Sequence, residues 1–421
     1  MQSSGNNEHG VQMAVPAIKR RKPNGGDRPN IVYFDHTAIM SGGEIALFNL
    51  ITALDKTRYQ PIVILATDGP LAKKLADSNI EVHILPLDKS VLETRKDSLS
   101  AGALLKILTA VKCMFYTFKL ARLLKARGAD LIHTNSLKAD VLGGIAARMA
   151  RVPVIWHVRD RIADDYLPPV ATALFRTGCR IIPDYIIANS QATMDTLSTG
   201  VAVRSAVVHS GSTNQQLRVV HDGIPEHAMS PKTGPDAAPL IGLIGRLSPW
   251  KGQHIFIEAA SIVVKQFPKT KFQIIGSAMF GEDEYEKTIR QMVIDLGLQE
   301  NVEFTGYVTD VPDRVGKLDV LVHASTTGEP FGQVVIEGMV AGKPVIATRG
   351  GGVVEIVEDG ITGILVPMAD ASAMADALKR LLSDPAFAAA MGLRGRVRVL
   401  QHFTIEQTAN KVHEIYSEFM E

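Results

Sequence analysis

The chain has 421 residues, of which 46% are hydrophobic and 21% charged, and its formal net charge is +1. That length exceeds one ordinary core and implies two domains, while the near-neutral charge excludes a chain-wide pull toward nucleic acid. Two cysteines without CxxC spacing, Cys113 and Cys179, supply neither a disulfide framework nor a thiolate metal site; they point to free thiols in a reducing cytoplasm.

Residues 1–27 are polar, basic and Gly/Pro-containing, the composition of a disordered leader. Their one apolar stretch, MAVPAI, is too short for a signal-peptide core, and no run in the chain is long and uncharged enough to predict a membrane span. From residue 28 a rhythm begins. NIVYFDH (Asn30–His36) has the pattern of a buried strand, Gly42 and Gly43 follow it, and EIALFNLITAL has helical spacing. PIVILAT, VHILPL, ADLIHTNS, VPVIWHVRD and PDYIIANS are further strands between amphipathic segments. This alternation predicts βαβ units and a mostly parallel sheet.

One segment departs from the rhythm. ALLKILTAVKCMFYTFKLARLLKAR (Ala103–Arg127) places Leu104, Leu108, Val111, Phe115 and Phe118 on one stripe, with most of its lysines off it. A basic amphipathic helix is a membrane-surface signal, and an ordinary core-facing helix is the alternative. Arg122 continues the stripe and fits it only by snorkelling.

The pattern lapses around residues 210–240, which are rich in Pro, Gly and Asp as a linker is. It restarts with PLIGLIGR, the helix GQHIFIEAASIVVKQF, and the strands KFQIIGS, NVEFTGYV, LDVLVHAS, KPVIAT and GILVPM. The expected organisation is a first Rossmann-like domain over 28–225, a second over 226–402, and a final helix in 403–421 that packs back on the first. Ligands of such doubly wound sheets sit at the carboxyl ends of the strands, so two of them enclose a cleft.

GEPFGQVVIEGMVAGKP (Gly328–Pro344) carries the most chemistry. Glu329 falls at a strand's carboxyl end, and Glu337 about a turn and a half into the next helix. Amides of Phe331, Gly332 and Gln333 at the helix start suit an anion. A carboxylate inside the cleft can accept two hydroxyl hydrogen bonds, as a ribose requires, and one at its mouth can meet a sugar. In GLIGRLSPWKGQ (Gly242–Gln253), Arg246 follows a strand and Lys251 starts a helix, so two cations and helix amides converge on one anion. The blander reading is a loop acid, a helix acid and a basic turn with no ligand. Together the residue types fit a nucleotide joined to a sugar through phosphates.

The E-x7-E spacing inside EPFG…E…G.P resembles the signature of retaining glycosyltransferases of family 4, which have the GT-B fold: two doubly wound α/β domains facing across a cleft. The resemblance runs from residue 29 to the end of the chain and is stronger in the second half. It implies that Glu337 binds the donor ribose, Glu329 contacts the donor sugar, and backbone at Phe331 and Gly332 faces sugar and phosphates. It implies that Arg246 and Lys251 hold the diphosphate and stabilise the departing nucleotide. It places Gly42 and Gly43 of MSGGE against the phosphates, His157 of VIWHVRD close to the transferred sugar, and Tyr307 and Val308 of NVEFTGYVTD near the nucleobase. Gly350–Gly352 suit a tight turn near the donor, with Glu355 orienting loops. Asn135, Ser136, Arg159 and Asp160 are acceptor-side candidates, although a strand-to-helix cap also explains Asn135 and Ser136.

The activity so implied is transfer of a hexose from a nucleoside diphosphate sugar, UDP or GDP by preference, to a glycan or lipid-linked acceptor with retention. No cofactor is implied, and the lack of a DxD motif predicts no catalytic metal. The setting implied is bacterial exopolysaccharide, lipopolysaccharide or other surface-glycan synthesis, in the cytoplasm or peripheral on the inner face of the membrane. A GT-B-fold nucleotide-sugar epimerase and a non-catalytic nucleotide-sugar-binding scaffold are the alternatives. A nicotinamide dehydrogenase is disfavoured because neither half has a dinucleotide glycine fingerprint.

Overall fold

The β-branched runs of the inner strands are buried on both faces, because helices cover both sides of each sheet, while the edge runs VHILPL and NVEFTGYV form partly exposed strands. The structure is a computed structural model that describes residues 28–92, 103–164, 166–197, 216–226, 238–279 and 281–420. The leader segment, most of the linker around 210–240 and the side chains of Leu104 and Leu108 lie outside the described residues. The first sheet comprises β1 (Asn30–Asp35), β2 (Gln60–Leu65), β3 (Glu81–Ile84), β4 (Leu131–Thr134), β5 (Val154–Val158), β6 (Tyr185–Ala188) and β7 (Gln216–Val219). The second comprises β8 (Leu240–Ile244), β9 (Lys271–Ile275), β10 (Val302–Gly306), β11 (Val320–His323), β12 (Val345–Thr348) and β13 (Ile364–Val366).

Both sheets are parallel. Their orders are β3-β2-β1-β4-β5-β6-β7 and β10-β9-β8-β11-β12-β13. In each, successive strands first add on one side and then cross back to the other, so the chain reverses between β1 and β4 and between β8 and β11. Helices leaving these neighbours go to opposite faces, which opens a crevice at the strands' carboxyl ends.

Two cores sandwich the first sheet. On one side, helices Ala103–Ala126, Leu137–Ala150 and Pro169–Cys179 bury Leu120, Leu124, Ala146 and Phe175 against Val32, Ile132, Val154 and Trp156. On the other, helices Gly42–Ala53 and Pro70–Asp77 share a core with the final helix, Ile405–Met420, which contributes Ile405, Val412, Ile415, Tyr416 and Phe419. The last helix of the chain therefore belongs to the first domain's core. It reaches there directly after helix Pro385–His402 of the second.

The chain crosses between domains twice, and the crossings are stitched together. Ile224 N donates to Phe403 O at 3.0 Å, and Ile405 N donates to Ile224 O at 3.2 Å. Gly223 is needed for this approach, because a Cβ there would lie 2.3 Å from Thr404 O. Since Ile415 is fully buried between β-sheet and helices, Ile415→Ala is expected to destabilise the first domain by about 2–5 kcal/mol. Chemical denaturation followed by circular dichroism measures the shift.

Candidate active site

The second domain builds one wall of the crevice from three strand ends. After β8 the chain turns through Gly245 to Arg246, whose carbonyl accepts from Gln253 Nε2 at 2.9 Å. Lys251 ends a short 3-10 turn, and Gly252 starts helix Gln253–Val263 with φ +72°. A Cβ at Gly252 would sit 1.9 Å from Ala324 O, so only glycine lets this turn press against the end of β11. That contact and the bond from Thr326 N to Trp250 O, 2.8 Å long, set Lys251 beside the loop after β11.

Lys251 Nζ then meets Glu329 Oε1 at 2.7 Å. The other carboxylate oxygen accepts from Ser325 Oγ at 2.8 Å and faces His323 Nε2 at 3.4 Å. Burial by itself would raise the Glu329 carboxyl, but the Lys251 charge and then His323 override it and hold the group well below the usual carboxylate range. Glu329 is thus an anion with both oxygens engaged.

Glu337 is its opposite. It lies in helix Gln333–Val340, which begins at Gly332 with φ +112°, and its carboxylate has no hydrogen-bond partner among the described residues. Burial pushes its pKa up from 4.5 to about 7. A carboxyl kept near neutrality without a partner is ready to accept hydroxyls from a ligand. Beside it, both polar atoms of the Gln333 side chain are buried and unpartnered. Tyr307 is exposed just beyond the edge strand β10, with Val308 next to it.

The first domain contributes a polar floor whose groups mostly bond one another, with His157 Nε2 and Asn189 Oδ1 left buried and without a hydrogen bond. Asp35, at the end of β1, accepts from Asn135 Nδ2 and Ser136 Oγ, both at 2.7 Å, and from His36 N at 2.6 Å. Asn135 also donates to Gly43 O at 3.2 Å and accepts from Arg159 Nε at 2.8 Å. Arg159 is ion-paired with Asp222, and burial lowers its pKa to about 10. Asn135 and Ser136 therefore spend these hydrogen bonds on holding Asp35 and the first turn of helix Gly42–Ala53, to which Gly42 and Gly43 belong rather than to a loop. Glu44 bonds back to Ser41 N at 3.1 Å in a capping box, and burial and then the Asp35 charge raise its pKa to about 7. Neither Gly42 nor Gly43 has a positive φ, and a Cβ at Gly42 would meet nothing within 4 Å. The fold itself does not require glycine at Gly42.

His157 lies inside β5 rather than just past its end, and is fully buried. Its Nδ1 is 3.0 Å from His133 Nε2, whose Nδ1 is 2.6 Å from Tyr416 Oη of the final helix. Burial, then the Arg159 charge, hold both imidazoles neutral, His133 at about 3 and His157 well below its ordinary value. The residue that emerges at the end of that strand is Arg159. Asp160 follows and accepts from Tyr166 Oη at 2.6 Å, and the charges of Arg246 and Glu329 act on that same phenol.

The two walls touch. Ser190 Oγ and Thr193 Oγ1 both donate to Pro330 O, the latter at 3.2 Å, and Arg161 Nη1 donates to Gly328 O at 3.3 Å. Glu355, after the Gly350–Gly352 turn, accepts from Gln191 N and Ala192 N at 2.9 Å each and lies 2.9 Å from His221 Nε2.

Against this geometry the comparisons are decisive. The Glycosyltransferase Family 4 model matches residues 40–213 and the Glycosyl transferases group 1 model matches residues 227–398. A GDP-mannose-dependent alpha-(1-6)-phosphatidylinositol monomannoside mannosyltransferase of Mycolicibacterium smegmatis is 30% identical over 287 residues, 66% of this chain and 73% of the relative. The chain belongs to the family 4 glycosyltransferases. The lipopolysaccharide core biosynthesis mannosyltransferase LpsB of Rhizobium meliloti is 30% identical over 186 residues, 44% of the glycosyltransferase described here and 53% of LpsB. The crystal structure of Anabaena HepE in complex with UDP-glucose matches with a TM-score of 0.77 at 26% identity, covering 92% of this chain and 99% of that one. The fold is GT-B.

Several site residues escape a linear reading. Asp35, His36, Asn189 and Asp222 are polar groups at strand ends or in the linker, and His323 and Ser325 flank β11's end. The strand-end rule applied to NIVYFDH and IIANS would have selected Asp35 and Asn189; nothing local marks Asp222.

The raised Glu337 pKa has a sign. Its folded value, about 7, lies above the ordinary 4.5, so charging it opposes folding: the stability present below pH 4.5 is lost as pH rises through 7. Glu337→Gln is therefore expected to stabilise the ligand-free enzyme at pH 8 by up to about 3 kcal/mol and to leave it unchanged near pH 4. Urea midpoints at the two pH values measure it.

Proposed function

We propose that this glycosyltransferase moves a hexose from a UDP- or GDP-sugar to an acceptor hydroxyl with retention, in assembly of a bacterial surface glycan. The observation that carries the reading is the pairing of opposites around one crevice. Glu337 waits without a partner for a ribose diol, while Lys251 and Arg246 bring positive charge to where a diphosphate would lie, next to the amides that start helix Gln333–Val340. The bound UDP-glucose of HepE and the GDP-mannose dependence of the M. smegmatis relative support a pyrimidine or purine diphosphate donor.

The chemistry follows from what is free and what is engaged. Glu329 is fixed by Lys251, Ser325 and His323, which disfavours it as a nucleophile on the sugar. The acceptor oxygen then bonds to the anomeric carbon on the face the diphosphate leaves. The bond from that carbon to the phosphate oxygen breaks, and the departing phosphate takes the acceptor proton. Lys251 and Arg246 stabilise the charge that grows on the diphosphate. Gly42 and Gly43 leave room for phosphate or acceptor above the polar floor. The acceptor is a glycan or a lipid-linked saccharide presented at the cytoplasmic face of a membrane.

UDP-, GDP- and ADP-hexoses should separate in a thermal-shift screen, because a ligand bound only by the folded state raises its midpoint. The correct donor raises it, and Glu337→Ala weakens that donor's binding about 10–100-fold by titration calorimetry. A screen in which no nucleotide sugar moves the midpoint, or a Glu337→Ala variant that binds as tightly as wild type, overturns the assignment. NMR of the product's anomeric centre reads the stereochemistry, and an inverted linkage overturns the same-face mechanism.

A further inference from the structure

Three helices cover one face of the first sheet, and their outward sides are both apolar and basic. Met114, Phe115 and Phe118 of helix Ala103–Ala126, Val170 and Leu174 of helix Pro169–Cys179, and Ile181 just after it are 50–71% exposed. Ile145 and Met149 of helix Leu137–Ala150 lie among the exposed large side chains too. The opposite sides of the same helices bury Leu120, Ala146 and Phe175 in the core, so the outward residues are not needed to fold the domain.

The patch is contiguous. Helices Ala103–Ala126 and Leu137–Ala150 pack side by side, and Gly144 on the second approaches Ile182, after the third, so closely that a Cβ would fall 2.5 Å from its Cγ2. Monomeric proteins seldom leave so wide an apolar surface uncovered.

Charge selects the occupant. Residues 103–127, 137–151 and 169–182 contain eleven Lys and Arg but a single acid, Asp140. Asp140 is fully buried and bound to Thr134. Among the described residues, acids meet these cations at the borders, where Asp88 meets Lys112 and Asp184 meets Arg148, each at 3.0 Å, and Glu81 meets Arg127 at 3.4 Å. Lys119, Arg122 and Lys125 have no carboxylate partner among the described residues. Arg122 continues the line of Phe115 and Phe118, where an aliphatic stem can lie along apolar surface and raise its guanidinium to the rim.

We propose that this three-helix face docks on an anionic lipid bilayer, lying in its interface. A second copy of the chain would set one cationic face against another. Crossing is excluded for these helices, since no helix among the described residues is long and apolar enough to span a membrane. Apolar side chains entering the acyl boundary beneath a ring of cations is the arrangement that anionic membranes hold. Helix Leu137–Ala150 starts directly after Asn135 and Ser136, so the docking face and the crevice share this helix, with Ile145 and Met149 toward its far end. The inference rests on the membrane-side acceptor reading for its purpose, but vesicle binding requires neither donor nor acceptor.

The test is co-sedimentation of the full-length protein with vesicles of phosphatidylcholine, with and without phosphatidylglycerol, over a salt series. Binding to the anionic vesicles that weakens as salt rises is expected, with little on neutral ones. Phe115→Ser with Phe118→Ser, and separately Val170→Ser with Leu174→Ser, should each lower partitioning more than tenfold. Lys119→Glu, Arg122→Glu and Lys125→Glu together should abolish the preference for anionic lipid. All three variants should keep the wild-type thermal midpoint and nucleotide-sugar response. Absence of binding at low salt overturns the proposal, as does a Val170/Leu174 variant that binds like wild type. A dimer in sedimentation velocity that these variants dissolve would give the face to a second copy instead. Vesicle binding by a protein that responds to no nucleotide sugar would leave this surface standing and remove the catalytic assignment.

Discussion

The contact between Lys251 and Glu329 organises the second domain's half of the crevice. It ties the loop after β8 to the loop after β11, neighbours across which the sheet reverses direction. Both charges are largely withdrawn from water, so removing either would strand the other, at a cost of about 3–5 kcal/mol. The turn at Gly252, closed against Ala324 O, leaves the ammonium little freedom. The cation is therefore held in place in the ligand-free protein, and under the proposed function it needs no reorganisation when negative charge develops on the diphosphate. Glu329 and Glu337 are the same residue type eight positions apart, yet one is locked as an anion by its partners and the other is kept near neutrality by burial alone. Environment, not identity, assigns their roles.

The first domain holds the outer side of that acidic loop by hydrogen bonds more than by packing. Pro330 O, Gly328 O and the Glu355 carboxylate are each met by groups from Arg161 or residues 190–193. Polar contacts of this kind exchange readily with water, as interfaces between domains that move relative to one another do. The stitched crossings at Ile224 and Ile405 are the fixed part. Tyr416 extends the coupling inward: it reaches His133, and through it His157, from a helix that follows directly on the second domain.

Periodicity made the two parallel sheets legible because strands buried on both faces write themselves as unbroken β-branched runs. The acidic pair was legible because a fixed spacing in one βα unit fixes geometry. Strand ends were legible only to within a residue or two: at β5 that margin separates His157, inside the strand, from Arg159, just past its end. Asp222 was invisible because its partner lies sixty-three positions away. Helix Ala103–Ala126 shows a different limit. Its stripe at Val111, Phe115 and Phe118 is exposed, but Tyr116, Leu120 and Leu124 form a second apolar side that faces the core. A helix apolar on two sides gives no periodic signal to say which one is covered.

The two walls of the crevice differ in one physical respect. At the β1/β4 reversal, Asp35, His36, Asn135, Ser136, Arg159 and Asp222 bond one another. These six satisfy one another, since a buried polar group left unpaired costs about 1–3 kcal/mol, but the same wall leaves His157 Nε2 and Asn189 Oδ1 buried without a hydrogen bond. The facing wall keeps Glu337 and the Gln333 amide unpartnered and carries the cationic loop. The second domain thus carries the partnerless carboxyl and the cationic loop, while the first supplies a mostly self-bonded floor whose Gly42 is left clear. Under the proposed function, such a division lets the donor bind the second wall before the acceptor is fixed by the first.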